Sequence, residues 1–218
     1  MGNHTIVLPS GEEGDELEAV IIDFITVYNY FDQVYSPSNP VPPACVAIGY
    51  DTASLAPIES SPAPQCNLCS VCPQNQFGSA GRGKACKNTR LLALTCVADH
   101  GEEPVIWTAS IPPVSLKYFD TYVQKLATRY KTIPIGVVTR ISLNPSVAHP
   151  EPHFEVVRPL ADDEFEIYMH RREEAKAILQ TPPDLSGYRA PGGQLVRFTP
   201  KPVTGLGTPA APARKVLR

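Results

Sequence analysis

At 218 residues the chain is long enough for one well-filled core with an insertion and a tail, and it reads as one domain. Proline, at 24 residues, runs at about twice its ordinary frequency of about 5%, which favours short elements and argues against a helical bundle. The formal charge of −3 hides an uneven distribution: Glu12, Glu13, Asp15, Glu16, Glu18 and Asp23 stand without a base, whereas only bases follow Asp184.

Residues 1–16 read as an acidic N-terminal arm with one short strand at Ile6 to Leu8. They lack the basic and apolar blocks of a secretory signal, and no run approaches the ~18 apolar residues that span a bilayer. The expectation is a protein of a reducing compartment, without a membrane, where clustered cysteines serve as metal ligands rather than disulfides.

The run Leu17 to Phe31 is rich in Val, Ile, Tyr and Phe and predicts a long strand with both faces largely apolar. The prolines of SPSNPVPP (Ser36 to Pro43) then break the chain. A second strand is expected over Ala44 to Tyr50, a third over Leu91 to Ala98 and a fourth over Val105 to Ile111. Cys45 and Cys96 fall inside apolar runs and are expected to be buried small hydrophobes. Ser115 is placed to cap a helix of about four turns, with Leu116, Phe119, Val123, Leu126 and Tyr130 on one side. Strands follow at Ile135 to Leu143 and Phe154 to Leu160, then a second helix from Asp162 through Gln180.

This order predicts a mainly β chain with two helices, α+β in class. It fits an OB-fold-like β-barrel, with a helix between its third and fourth strands, once one early strand is counted as an extra piece. An open α+β sheet of the same elements is the alternative. The domain is expected over 17–182, with a zinc-knot insertion at 60–90. Residues 183–218, dominated by Pro, Gly, Ala and bases, are expected to form a disordered basic tail.

The insertion carries the chemistry. Cys66, Cys69, Cys72 and Cys86 follow the spacing C-x2-C-x2-C-x13-C, four sulfurs that can close a tetrahedral shell around a structural zinc. Cys72-Pro73 also has the look of a ferredoxin run, which keeps an iron–sulfur cluster as the second choice, and His100 lies near enough in sequence to replace one thiolate. Gly78 with Gly83-Lys84 falls short of a phosphate-binding P-loop because Ala85 stands where a metal-binding hydroxyl is required, so nucleotide hydrolysis is not expected. His149, Glu151 and His153 in AHPEPHF hold metal-ligating types, but their prolines indicate a loop.

No Asp or Glu lies between Glu59 and Asp99, so Arg82, Lys84, Lys87 and Arg90 are uncompensated in sequence. Cations beside aromatic planes are what a single nucleic-acid strand needs, for its phosphates and bases respectively. Phe77, Tyr28, Tyr30, Tyr50 and Trp107 supply candidate planes, and Arg140 interrupts an apolar strand beside them.

The segment CPQNQFGSAGRGKACKNTRLLAL, with PPACVAIG before it and TPPDL after it, resembles a family of small tailed-bacteriophage proteins that carry C-x2-C-P-x-N-Q-[WF]-G-S and then G-K-A-C-K. The resemblance covers most of residues 17–185. It implies a phage single-stranded DNA-binding protein of OB type, acting in DNA replication or recombination in the host cytoplasm, alongside phage replication proteins. By that similarity Cys66, Cys69, Cys72 and Cys86 are metal ligands and Phe77 holds the family's aromatic position. The basic end, APARKVLR, departs from the acidic tip by which such proteins recruit partners. The expected function is binding without catalysis. A virion or assembly protein stapled by the knot, and a DNA-processing nuclease, are the alternatives.

Overall fold

The structure, a computed structural model, describes residues 6–7, 13–34, 40–98, 105–147 and 151–190. Its class is α+β: a six-stranded antiparallel sheet with one helix and a second, interrupted helical stretch. The chain divides into two compact units. One takes the described residues of Met1–Phe24 and Thr89–Leu179, the other the described residues of Ile25–Asn88 and Gln180–Ala211. Among the described residues no helix is long and apolar enough to cross a membrane.

In the first unit β1 (Ile6–Val7) and β2 (Glu13–Gly14) form a two-residue ladder, and β3 (Glu16–Tyr30) enters the main sheet directly afterwards. The strand order is β6-β5-β3-β7-β8, where β5 is Cys86–Cys96, β6 Trp107–Ile111, β7 Val137–Leu143 and β8 Pro152–Pro159. β3 pairs with β7 from Glu16↔Ser142 to Ala19↔Thr139, and β5 with β6 from Arg90↔Ile111 to Leu94↔Trp107. The order ends at β6 on one side and β8 on the other, so the sheet is open, the second of the two arrangements expected. β8 is built as an edge. Prolines begin and end it, and three of its exposed positions, His153, Glu155 and Arg158, are polar.

Both faces of β3 are covered from Ala19 to Asp23, as its double-sided apolar pattern requires. Asp23 is the polar exception; it pairs with Arg172 at 3.3 Å. The core gathers Ile21, Leu92, Leu94, Leu126 and Val137 around Phe119, which is wholly buried and meets the Phe24 and Phe154 rings edge-on at 5.0 and 5.3 Å. Phe119 comes from α1 (Leu116–Lys125), which widens into a π-turn over Leu126–Tyr130 and stops at Lys131 in the left-handed region (φ 55°).

Two helical expectations change. Ser115 makes no side-chain capping bond, because the 3-10 turn Pro113–Ser115 has already brought its backbone to ψ −5°, whereas a capping residue sits in extended backbone. The stretch from Asp162 is interrupted at Arg171 (ψ −5°), giving α2 (Asp162–His170) and α3 (Arg172–Gln180). The two flanking arginines diverge there, Arg171 to Glu174 at 2.8 Å and Arg172 to Asp23. α2 buries nothing, whereas α3 buries Ala175, Ile178 and Leu179.

In the second unit the far half of β3 pairs with β4 (Cys45–Gly49), from Thr26↔Gly49 to Tyr30↔Cys45. A β-carbon on Gly49 would stand 2.7 Å from Leu55 Cδ1, so a side chain here would push the end of Leu55 aside. The buried Ser61 hydroxyl takes the Val46 N–H and donates to the Val46 carbonyl, both at 2.9 Å, fixing the returning loop on β4. Tyr188 is buried and donates to Asp32 at 2.6 Å, and the Gln33 amide donates to the Arg189 carbonyl. The chain is therefore fastened beyond residue 183, where the tail was expected to begin; residues 191–218 lie outside the described ones.

Candidate functional site

The cysteine segment is a chain of tight turns held by polar bonds. A 3-10 turn over Cys69–Val71 runs into another over Pro73–Asn75. Asn75 is the brace between them. It is buried, and its Nδ2 donates to the Cys69 carbonyl at 2.8 Å. Gln76 Nε2 donates to the carbonyls of Ser70 and Cys72, each at 3.1 Å.

Cys45, Cys66, Cys69, Cys72 and Cys86 all wall one small cavity of about 10 Å³, with Tyr28, Tyr30, Gln65 and Asn75 among the other lining residues. That is the room of about one water-sized sphere. The Cys66 thiol donates to the Leu68 carbonyl at 3.2 Å. Among the described residues no three Cys, His, Asp or Glu side chains converge closely enough, as they stand, to hold a metal ion.

Burial first, then the neighbouring sulfurs, opposes ionisation at this cavity. Cys66 is pushed up to about 11, Cys69 to about 12 and Cys86 to about 12, the last with Lys84 acting the other way. Burial also raises Cys45, against a backbone N–H from Gln65 that reaches its sulfur. Thiols gathered in one cavity become thiolates together only if a cation compensates them. Soft sulfur donors are the chemistry of a thiophilic ion, and Cys66, Cys69, Cys72 and Cys86 would hold one only after drawing closer together. His100 lies outside the described residues.

Cys45 is buried, as expected, and it also lines this cavity. Its apolar setting, ACVAIGY, reads as core, and only the pairing of Cys45 with Tyr30 at the strand end brings its sulfur to the cavity. Cys96, by contrast, lies in the apolar core of the first unit, as expected.

Directly after the second 3-10 turn comes a glycine turn. Gly78 N–H and Ala80 N–H both donate to the Gly83 carbonyl, at 3.0 and 3.2 Å, and Gly78 (φ 93°) and Gly81 (φ 61°) take positive φ angles that favour glycine. Ser79 Oγ donates to the Gln76 carbonyl at 2.6 Å and accepts the Ala85 N–H at 2.9 Å, closing the turn from inside. Phe77 stands 81% exposed on this frame, and Lys84 Nζ lies 5.0 Å from its ring centroid. Arg82 and Lys87 are exposed too, and among the described residues no carboxylate pairs with Arg82, Lys84 or Lys87.

The other candidate binding residues are placed differently. Arg90 is mostly buried and lies 3.7 Å from Asp120, and Arg140 donates to Glu18 at 2.7 Å with Glu16 at 3.5 Å, so both have partners in the first unit. Trp107 packs against the Phe119 core. Tyr28 and Tyr30 line the cysteine cavity, and Tyr28 also packs on Ala47, Leu55 and Cys69. Tyr50 is 46% exposed.

Glu151, the carboxylate between the two histidines of AHPEPHF, already has partners. Glu151 accepts from the Tyr118 hydroxyl at 2.6 Å and Asn144 Nδ2 at 2.9 Å, with His153 at 3.4 Å. These bonds, the Tyr118 one first, hold its pKa below the ordinary carboxylate value. His149 lies outside the described residues. The chain matches no protein-family model, no curated protein and no solved structure.

Proposed function

We propose that this chain binds single-stranded DNA through the Phe77 turn, on a fold of OB type stapled by a structural metal at the cysteine cavity. The observation that carries the reading is Phe77. A large aromatic ring 81% exposed is costly to leave in water, yet four bonds shape the turn that presents it, with an ammonium at 5.0 Å and no acid nearby in sequence. A ring and a cation so placed suit the face of a base and its adjoining phosphate.

Strand order supports the fold reading. An OB barrel laid open runs third, second, first, fourth, fifth strand, with the helix between the third and fourth. Taking β3, β5, β6, β7 and β8 as those five strands gives β6-β5-β3-β7-β8, with α1 between β6 and β7. β4 is then the extra strand, and it falls with the cysteine segment between the first and second OB strands. That connection is one of the two by which OB folds take oligonucleotides. The resemblance to tailed-phage proteins points the same way and brings phage replication or recombination, without catalysis, as the setting. Zinc suits the four motif thiols best; an iron–sulfur cluster is the alternative and would colour the protein.

The test is fluorescence anisotropy of a labelled single-stranded oligonucleotide, with a matched duplex as competitor, across a salt series. Tight binding of the strand, weak competition by the duplex and log affinity falling linearly with log salt are expected. Absence of binding at low salt would remove the reading and leave a stapled virion or assembly protein.

A further inference from the structure

Phe77 is not the only apolar side chain that the cysteine segment turns outward. Val71, the last residue of the first 3-10 turn, stands 70% exposed. We propose that Val71 and Phe77 form one contact surface for single-stranded DNA, held at a fixed spacing by Gln76, so that a strand meets the protein at two points. The inference rests on the binding function above and adds to it a second contact and a positioning residue.

Gln76 makes the link. An exposed glutamine on a loop ordinarily spends its amide on water, but both hydrogens of this Nε2 go to protein carbonyls, those of Ser70 and Cys72, each at 3.1 Å. These carbonyls lie on the two sides of Val71: one belongs to the peptide that enters it, the other to the residue that follows it. Val71 is also pinned through its own N–H, to the Leu68 carbonyl at 3.3 Å. At the other end, the Gln76 carbonyl belongs to the peptide that leads into Phe77, and it accepts the Ser79 hydroxyl at 2.6 Å and the Ser79 N–H at 3.2 Å. Each link from Val71 to Phe77 is therefore bonded. One Cα step, an extended glutamine side chain and one hydrogen bond place the two residues no more than about 15 Å apart.

The surrounding charge selects the occupant. Arg82, Lys84 and Lys87 have no carboxylate partner among the described residues, and Lys84 stands over the Phe77 ring. A ligand for this surface is a polyanion with apolar faces at short, regular spacing, which describes a single strand with its bases unpaired. The ring takes the face of one base, and the smaller valine packs on the sugar or base of a neighbour. Because the turns are already bonded into shape, little ordering cost falls on binding.

The experiment titrates the full chain into a labelled oligothymidylate of about 20 nucleotides, longer than one OB-fold site, and reads anisotropy across a salt series. Val71→Ser, Phe77→Ala, Gln76→Met and the pair Val71→Ser with Gln76→Met are compared, with urea denaturation to follow folding. Val71→Ser, at an exposed position, should keep the urea midpoint and weaken binding about three- to tenfold. Gln76→Met keeps the length of the side chain and loses both donors. It should weaken binding at least as much while leaving the slope of log affinity against log salt unchanged, since the cations are untouched. In the Gln76→Met background Val71→Ser should cost less than about twofold, because the valine is no longer held in place. A purely stabilising role for Gln76 would lower the midpoint and leave the contribution of the valine intact. Unchanged affinity for Val71→Ser, or the same loss with and without Gln76, overturns the inference; where Phe77→Ala still weakens binding, the function stands. No binding of the strand by wild type overturns both.

Discussion

The two compact units hold themselves together by different means. Around Phe119, aromatic rings and branched aliphatics close on one another, and polar groups in that interior are few, Tyr122 and Thr139 pairing at 2.6 Å. Around the cysteine cavity the buried apolar cluster is small, Ala47, Leu55 and Cys69 with Tyr28, and the turns depend on Asn75, Gln76, Ser61 and Ser79. The first can be stable by burial alone; the second adds polar bonds to a smaller apolar cluster, and the proposed ion would add to those.

The sharpest break in that contrast is Phe119→Ala. Emptying the most buried aromatic position should cost about 3–5 kcal/mol in urea denaturation, with metal content unchanged. Cys72→Ser should do the reverse. It should lose the bound zinc and, with free zinc at about 100 times its dissociation constant, about 2.7 kcal/mol of linked stability. Hydrogen exchange should then rise at the amides of Val46, Cys69 and Asn75, which the second unit protects, and not along the β5–β6 ladder.

Smaller effects separate binding from stability. Phe77→Ala should leave the urea midpoint in place and weaken single-strand binding by about 1–3 kcal/mol. Lys84→Ala should reduce the slope of log affinity against log salt by about 0.7, the share of one phosphate contact on a single strand. A fall in the midpoint for Phe77→Ala would show the ring to be packing rather than presented.

The least effect is expected from Glu164→Gln, at the surface of the first unit. Two bonds from Arg158, at 2.6 and 2.7 Å, hold the Glu164 pKa down to about 2 from an ordinary 4.5. A carboxylate depressed on folding stabilises above its unfolded value, and that contribution is lost as pH falls from about 4.5 towards about 2. The variant should therefore show a shallower loss of stability over that window, followed by urea midpoints at successive pH values.

Much of the fold was legible because period and composition carried it. The β-branched run of β3, the heptad-like spacing of α1 and the proline breaks each specify local geometry. The sheet edges were not legible, since whether β6 meets β8 is a matter of pairing across the chain, and no local pattern records it. The Arg140 partners were hidden for the same reason: Glu18 faces it only through the β3–β7 register. At the cysteine site, spacing identified four thiols, but Cys45 required a strand pairing to reach them. Arg171 shows the limit for helices, because the interruption there lies in backbone angles that an apolar period does not encode.

The stretch without acids, from Glu59 to Asp99, has a consequence in time rather than in affinity. Arg82, Lys84 and Lys87 are offset by no carboxylate among the described residues, so their field extends into solvent and acts on a polyanion before any contact forms. On the proposed function, encounter would be guided towards the turn that bears Phe77, and the association rate constant should fall steeply as salt shortens the reach of that field. Dissociation, governed by the ring once it is stacked, should respond to salt far less.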